Sequence, residues 1–162
     1  MRKRLVFAAL ALAGCNVLPH KAYEGPSRPE RELSILKAGA YGDEDSPMSL
    51  TEMRTIDGVE QRGGLYLASV LPGRHFVGVT ETTRMGTYTR RQYCGFELDT
   101  FAGCTYTPRP PSPPSDAIAN RLKDWEWSVD MTTGIECRDG AAYQMRITAR
   151  CGSSPKLLDK PR

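Results

Sequence analysis

Two runs near the end of the chain alternate too strictly for a helix. Trp125, Trp127, Val129 and Met131 interleave with Glu126, Ser128 and Asp130, and Tyr143, Met145, Ile147, Ala149 and Cys151 interleave with Gln144, Arg146, Thr148 and Arg150. A period of two places every apolar member on one face, so each run predicts a half-buried strand, and the pair predicts antiparallel neighbours with one wet face. No segment of useful length carries a helical period. The 15 Gly and 12 Pro punctuate the rest into short pieces. The expectation is an all-β fold, a small antiparallel sandwich or open barrel.

The chain ahead of these runs reads the same way. Leu33 and Ile35, then Met53, Thr55 and Ile56, then Leu65, Leu67 and the stretch to Leu71 are spaced as strands, separated by turn signals at Asp57-Gly58, Gly63-Gly64 and Pro72-Gly73. Arg74 to Thr83 is β-branched and alternating, with Phe76 or Val77 and Val79 inward; Thr87 to Leu98 continues the meander and offers Tyr88, Tyr93 and Phe96 to a core. Residues 107–115 read T-P-R-P-P-S-P-P-S, an extended polyproline-like excursion, since proline lacks the donor a ladder needs. A short helical turn is expected over Asp116 to Lys123. The core is expected from Leu65, Leu67, Val77, Val79, Trp125, Trp127, Tyr143, Met145 and Ile147.

The first 14 residues are processing signal rather than fold. Arg2, Lys3 and Arg4 precede the apolar run Leu5 to Leu12, followed by small Ala13 and Gly14 and then Cys15. Leu12-Ala13-Gly14-Cys15 resembles the lipobox of bacterial lipoproteins. The resemblance implies cleavage before Cys15, acylation of its sulfur and amino group, and attachment to a lipid bilayer, for which three acyl chains are ample when each buried methylene is worth about 0.8 kcal/mol. Asn16 rather than Asp at the second mature position points to the outer membrane, with the body facing the periplasm. The domain expectation is therefore 1–14 signal peptide, 15–31 lipidated Cys and tether, 32–151 β domain and 152–162 tail.

With Cys15 set aside, Cys94, Cys104, Cys137 and Cys151 remain, an even number in an exported chain, which predicts two disulfides in one of three connectivities. Local pairing, Cys94 with Cys104 and Cys137 with Cys151, is favoured because each closes a short loop. A four-thiolate metal site lacks any C-x-x-C pair, so no metal is expected.

Tyr23-Glu24-Gly25-Pro26, Ile56-Asp57-Gly58 and Leu71-Pro72-Gly73-Arg74-His75-Phe76-Val77 together resemble a loose family of small proteobacterial lipoproteins with a Tyr-x-Gly-Pro opening, an Ile-Asp-Gly turn and a Leu-Pro-Gly-x-His strand. The latter two pieces are also similar to PEGA-type envelope modules, which are small β-sandwich repeats. The resemblance spans about Tyr23 to Val79. It implies fold and place, and no biochemical activity. Physically, Asp-Gly and Pro-Gly suit tight reversals, so these motifs read as architecture.

Charge and chemistry narrow the function classes. Three of the 22 basic residues lie in the first four positions, leaving 19 against 19 acidic ones, so a nucleic-acid footprint is not supported. The two histidines are His20, in the tether, and His75, just past a turn and without a nucleophile motif beside it. The acidic cluster Asp43-Glu44-Asp45 does not match a calcium-loop spacing. No catalytic residues and no cofactor are expected, and the chain reads as a non-catalytic binding or structural module of the cell envelope. Two alternatives are a periplasmic inhibitor of a lysozyme-type hydrolase, to which Cys137-Arg138-Asp139-Gly140 is superficially similar, and a cryptic envelope enzyme. If an envelope protein or glycan docks, the expected surface is Arg90 and Arg91 with Arg109, Pro110 and Pro111 of the Pro-rich stretch, since proline is cheap to immobilise and Arg matches carboxylates. Tyr88 and Tyr93 lie beside this pair.

Overall fold

A computed structural model describes residues 18–41, 48–85, 87–109 and 127–160. Its strands are β1 (His20–Lys21), β2 (Ser34–Lys37), β3 (Ala40–Tyr41), β4 (Met48–Ile56), β5 (Val59–Leu65), β6 (Leu67–Val70), β7 (Gly73–Met85), β8 (Tyr88–Thr100), β9 (Cys104–Arg109), β10 (Trp127–Cys137) and β11 (Ala142–Gly152). Two 3-10 turns, Glu30–Glu32 and Pro155–Leu158, are the only helical elements among the described residues. All eleven strands form one sheet in the order β1-β6-β2-β9-β10-β11-β8-β7-β4-β3, with β5 also on β4, curled nearly closed into a barrel. Closure comes from two strands that bend. The chain passes from β2 into β3 and from β5 into β6, and Ala38 N–H donates to the Tyr66 carbonyl at 2.8 Å while Thr51 N–H donates to that of Gly39 at 2.9 Å.

The two alternating runs pair as expected, with β10 and β11 in register from Trp127 opposite Cys151 to Glu136 opposite Ala142. β7 and β8 form a long hairpin from Gly73 opposite Thr100 to Met85 opposite Tyr88. The pairing is mostly antiparallel; β1 on β6 and β2 on β9 are parallel. Leu36, Met53, Val70, Val79, Phe96 and Met131 fill the interior with Tyr106, whose hydroxyl accepts from Phe101 N–H at 2.7 Å.

Several expectations are corrected. Both disulfides exist, but they are nested rather than local: Cys94 pairs with Cys151 and Cys104 with Cys137. β8 and β9 are not neighbours in the sheet, so Cys94 and Cys104 never meet, and Cys137 and Cys151 sit at opposite ends of the β10–β11 hairpin. Each cystine instead joins residues directly opposite in register, on β8–β11 and on β9–β10. Gly63-Gly64 lies within β5 rather than at a turn, where β4 and β5 lose register. Thr107, Pro108 and Arg109 belong to β9 rather than to an excursion, and the rest of the Pro-rich stretch lies outside the described residues. β2 pairs with β9 at Thr105 and Tyr106, and Pro108 stands beyond that pairing, opposite Thr133 of β10.

Tyr143 is 45% exposed rather than core, while Leu65, Leu67 and Met145 are half-buried and Val77, Val79 and Ile147 are buried. Phe96 is buried and Tyr93 half-buried. Cys15, Trp125, Pro110, Pro111, the expected helical turn and Asp43-Glu44-Asp45 lie outside the described residues, as do the side chains of Tyr88 and Trp127.

The folded body also takes in chain that reads as tether and tail. β1 adds to the sheet beside β6. At the other terminus the Pro155–Leu158 turn covers the outer face of the β7–β8 hairpin, where Gly78 and Gly95 stand directly opposite each other. Both places are bare of side chain because backbone lies over them: a Cβ on Gly95 would come within 2.2 Å of the Leu157 carbonyl oxygen, and one on Gly78 within 2.9 Å of Leu158 backbone. Leu157 and Phe76 are buried under this turn, and Thr55 Oγ1 donates to the Leu158 carbonyl.

Candidate functional site

The inner face of the barrel changes character along its strands. On β7 the inward row runs Val77, Val79, Glu81, Thr83; opposite it on β8 stand Phe96, Cys94, Gln92, Arg90; and on β4, Met53, Thr51 and Ser49 face Val79, Glu81 and Thr83. One step beyond the Cys94–Cys151 cystine the wall thus turns from apolar to polar while remaining buried.

Glu81 is the centre of that polar end, 2% exposed. Gln92 Nε2 donates to its Oε2, Thr83 Oγ1 donates to Oε1 at 3.4 Å, and Thr83 exchanges a hydrogen bond with Ser49 at 2.9 Å. Arg90 is half-buried and donates to Gln92 Oε1 at 2.9 Å. Burial pushes the Glu81 carboxyl above its ordinary range, opposed by the bonds from Gln92, Ser49 and Thr83 and by the Arg90 charge. Beside it in register, the Thr51 hydroxyl is fully buried with no hydrogen-bond partner among the described residues, as are those of Thr80 and Thr133. The cluster brings together one carboxyl, a guanidinium, an amide and three hydroxyls, groups that bind and orient.

Because Glu81 holds its proton more tightly folded than unfolded, stability falls as pH rises from the usual carboxylate range through the raised value. Glu81→Gln cannot ionise. Its urea midpoint, measured against that of the parent chain at acid and neutral pH, is expected to shift in the variant's favour as pH rises.

His75 belongs to a different place, six residues before Glu81 on β7 and so about 20 Å away along an extended strand. Its ring lies between two acceptors, Nδ1 2.6 Å from Asp57 Oδ2 and Nε2 2.6 Å from the Leu71 carbonyl. Asp57 also accepts from Phe76 N–H at 2.9 Å and sits at φ 52°, followed by Gly58 at φ 81°, the backbone of a primed hairpin turn. Ile56-Asp57-Gly58 and Leu71-Pro72-Gly73-Arg74-His75 are therefore one lock that ties the β4–β5 turn to the β6–β7 reversal.

Arg90 and Arg91 do not act as a pair. Strand alternation sends Arg90 inward to Gln92 and leaves Arg91 exposed on the outside. Arg109 is exposed at the end of β9, opposite Thr132. A separate cleft of ≈ 220 Å³ runs between the Glu30–Glu32 turn and the β9–β10 end, floored by Leu33 and Ile35 and bridged by Arg138 Nη2 to Glu30 Oε2 at 2.8 Å. Arg138-Asp139-Gly140 is the β10–β11 turn, where Asp139 Oδ1 accepts from Ala141 N–H at 2.9 Å. Among the described residues no three His, Cys, Asp or Glu side chains gather as metal ligands.

Glu81 and Gln92 do not stand out as a site in any local stretch of the sequence. The available signal was parity, since both continue the inward rows of Val77–Val79 and Cys94–Phe96. Comparison of the chain with protein-family models, curated proteins and solved structures finds no match.

Proposed function

We propose that this chain is a lipid-anchored lipoprotein of the bacterial cell envelope, fixed to the outer membrane through Cys15, whose barrel is a periplasm-facing, non-catalytic module that binds or spaces other envelope components. The observation that carries the reading is the order of the first 15 residues: basic start, apolar run, small residues, cysteine. The two cystines support it, because such bonds persist in oxidising compartments. Two of the three pieces that resemble small envelope lipoproteins, Ile56-Asp57-Gly58 and Leu71 to Val77, fall on the Asp57–His75 lock, which accounts for them as architecture; Tyr23-Glu24-Gly25-Pro26 lies outside it. The hydrolase-inhibitor alternative leaned on Cys137-Arg138-Asp139-Gly140, and a cystine followed by a tight turn accounts for those residues without a partner. Cys15→Ser is expected to abolish acylation and to move the protein from the membrane to the soluble envelope fraction. Unchanged fractionation of that variant overturns the reading.

A further inference from the structure

Cys15, the proposed lipid attachment site, is close in sequence to the folded sheet. Cys15 precedes His20 by five residues, and five residues of fully extended chain reach at most ~18 Å. His20 is already in β1, opposite Ala68, and Lys21 is opposite Ser69. Ala22 N–H donates to the Ser69 carbonyl at 2.9 Å, Ser69 Oγ donates to that of His20 at 3.3 Å, and the Lys21 ammonium bonds the Gly25 carbonyl while lying 4.9 Å from the Tyr23 ring centroid. The chain from His20 to Gly25 is thus fastened, and with at most ~18 Å of chain between Cys15 and His20 the barrel cannot lie far from whatever holds Cys15.

The side chains at that corner suit a lipid surface. Leu18 is 81% exposed and Tyr66 45% exposed, two of the five large apolar side chains so exposed among the described residues. The parallel register sets both two positions ahead of the His20–Ala68 pair, at one end of the sheet. Lys37, opposite Leu67 on β2, is exposed at the same end. The Tyr66 hydroxyl donates to Glu52 at 2.8 Å, which fixes the ring, and Arg54 at 3.8 Å offsets the Glu52 charge. A leucine, an amphipathic ring and a long-stemmed lysine are the groups that enter the headgroup boundary, with apolar parts inward and the ammonium among phosphates.

We propose that this corner, Leu18, Lys37 and Tyr66, rests on the bilayer that holds Cys15, so that the barrel lies against the membrane in one orientation. The proposal rests on the reading of Cys15 as lipidated. The test places photoreactive benzoylphenylalanine at Tyr66, or at Phe101 as reference, in the full lipidated chain reconstituted in vesicles of phosphatidylcholine and phosphatidylglycerol. Phe101 is 62% exposed, and its carbonyl accepts from Ser34 Oγ at 2.8 Å; Ser34 is four residues, and so about 13 Å of extended chain, from Ala38, whose N–H donates to the Tyr66 carbonyl.

The expected result is lipid adducts at position 66 at least about fivefold above those at 101, the contrast expected when only one end of the barrel reaches the headgroups. A flexible Gly-Ser insertion of about twenty residues after Asn16 is expected to erase the difference. Equal adducts at both positions, with acyl mass found on Cys15, overturn the orientation and leave the anchor standing. Adducts at 66 to protein instead of lipid, or a preference that survives the insertion, also overturn it. A chain without acyl mass overturns both readings.

Discussion

Replacing Cys94 and Cys151 together by Ala is expected to lower the folding free energy by about 4 kcal/mol, the chain-entropy value for a loop of this size. The bond spans 57 residues of sequence and both sulfurs are buried, so the loss combines a larger unfolded ensemble with a poorer fit at the inner wall. Urea unfolding followed by tryptophan fluorescence measures it, with the midpoint falling by more than ~1 M at the slopes usual for small domains. The Cys104–Cys137 bond, spanning 33, closes a smaller loop, and its removal is expected to cost slightly less. A midpoint within error of the parent chain would show that the β8–β11 pairing does not depend on the staple.

The second large effect concerns a glycine. Gly95→Val is expected to destabilise the protein by about 3 kcal/mol, because overpacking costs about 1–3 kcal/mol and burial of displaced apolar groups is lost in addition. The new Cβ meets the Leu157 carbonyl at 2.2 Å and the Phe76 ring at 2.6 Å, both held on the outer face of the hairpin. The Pro155–Leu158 turn must leave, exposing Phe76 and Leu157. The check has two readouts: a lowered melting temperature and new tryptic cleavage after Lys156. Wild-type resistance at Lys156 in the variant would refute the seating of the turn.

What was legible in the sequence followed from period. Alternation in Trp127 to Met131 and Tyr143 to Cys151 located two strands and made them partners, and Asp57-Gly58 located a hairpin. What was not legible depended on which distant strands become neighbours. Cys94 could be matched to Cys151 only once β8 was known to lie beside β11, and Gly78 and Gly95 look unremarkable until register sets them opposite each other under the C-terminal turn. The buried carboxyl was hidden for a related reason. Glu81 sits in a polar run, Thr80 to Thr83, that reads as a strand leaving the core, whereas the barrel wall continues past it and keeps it inside.

The nesting of the two cystines gives the molecule a topological property. Every peptide bond between Cys104 and Cys137, including the whole Pro-rich stretch, is enclosed by both covalent loops. A protease that cuts there converts one chain into two without releasing either piece, because each half carries one sulfur of each bond. The nicked protein gains only the water of hydrolysis, and only a reductant parts the fragments. A chain of this design can be cut within its Pro-rich stretch and still remain a single object.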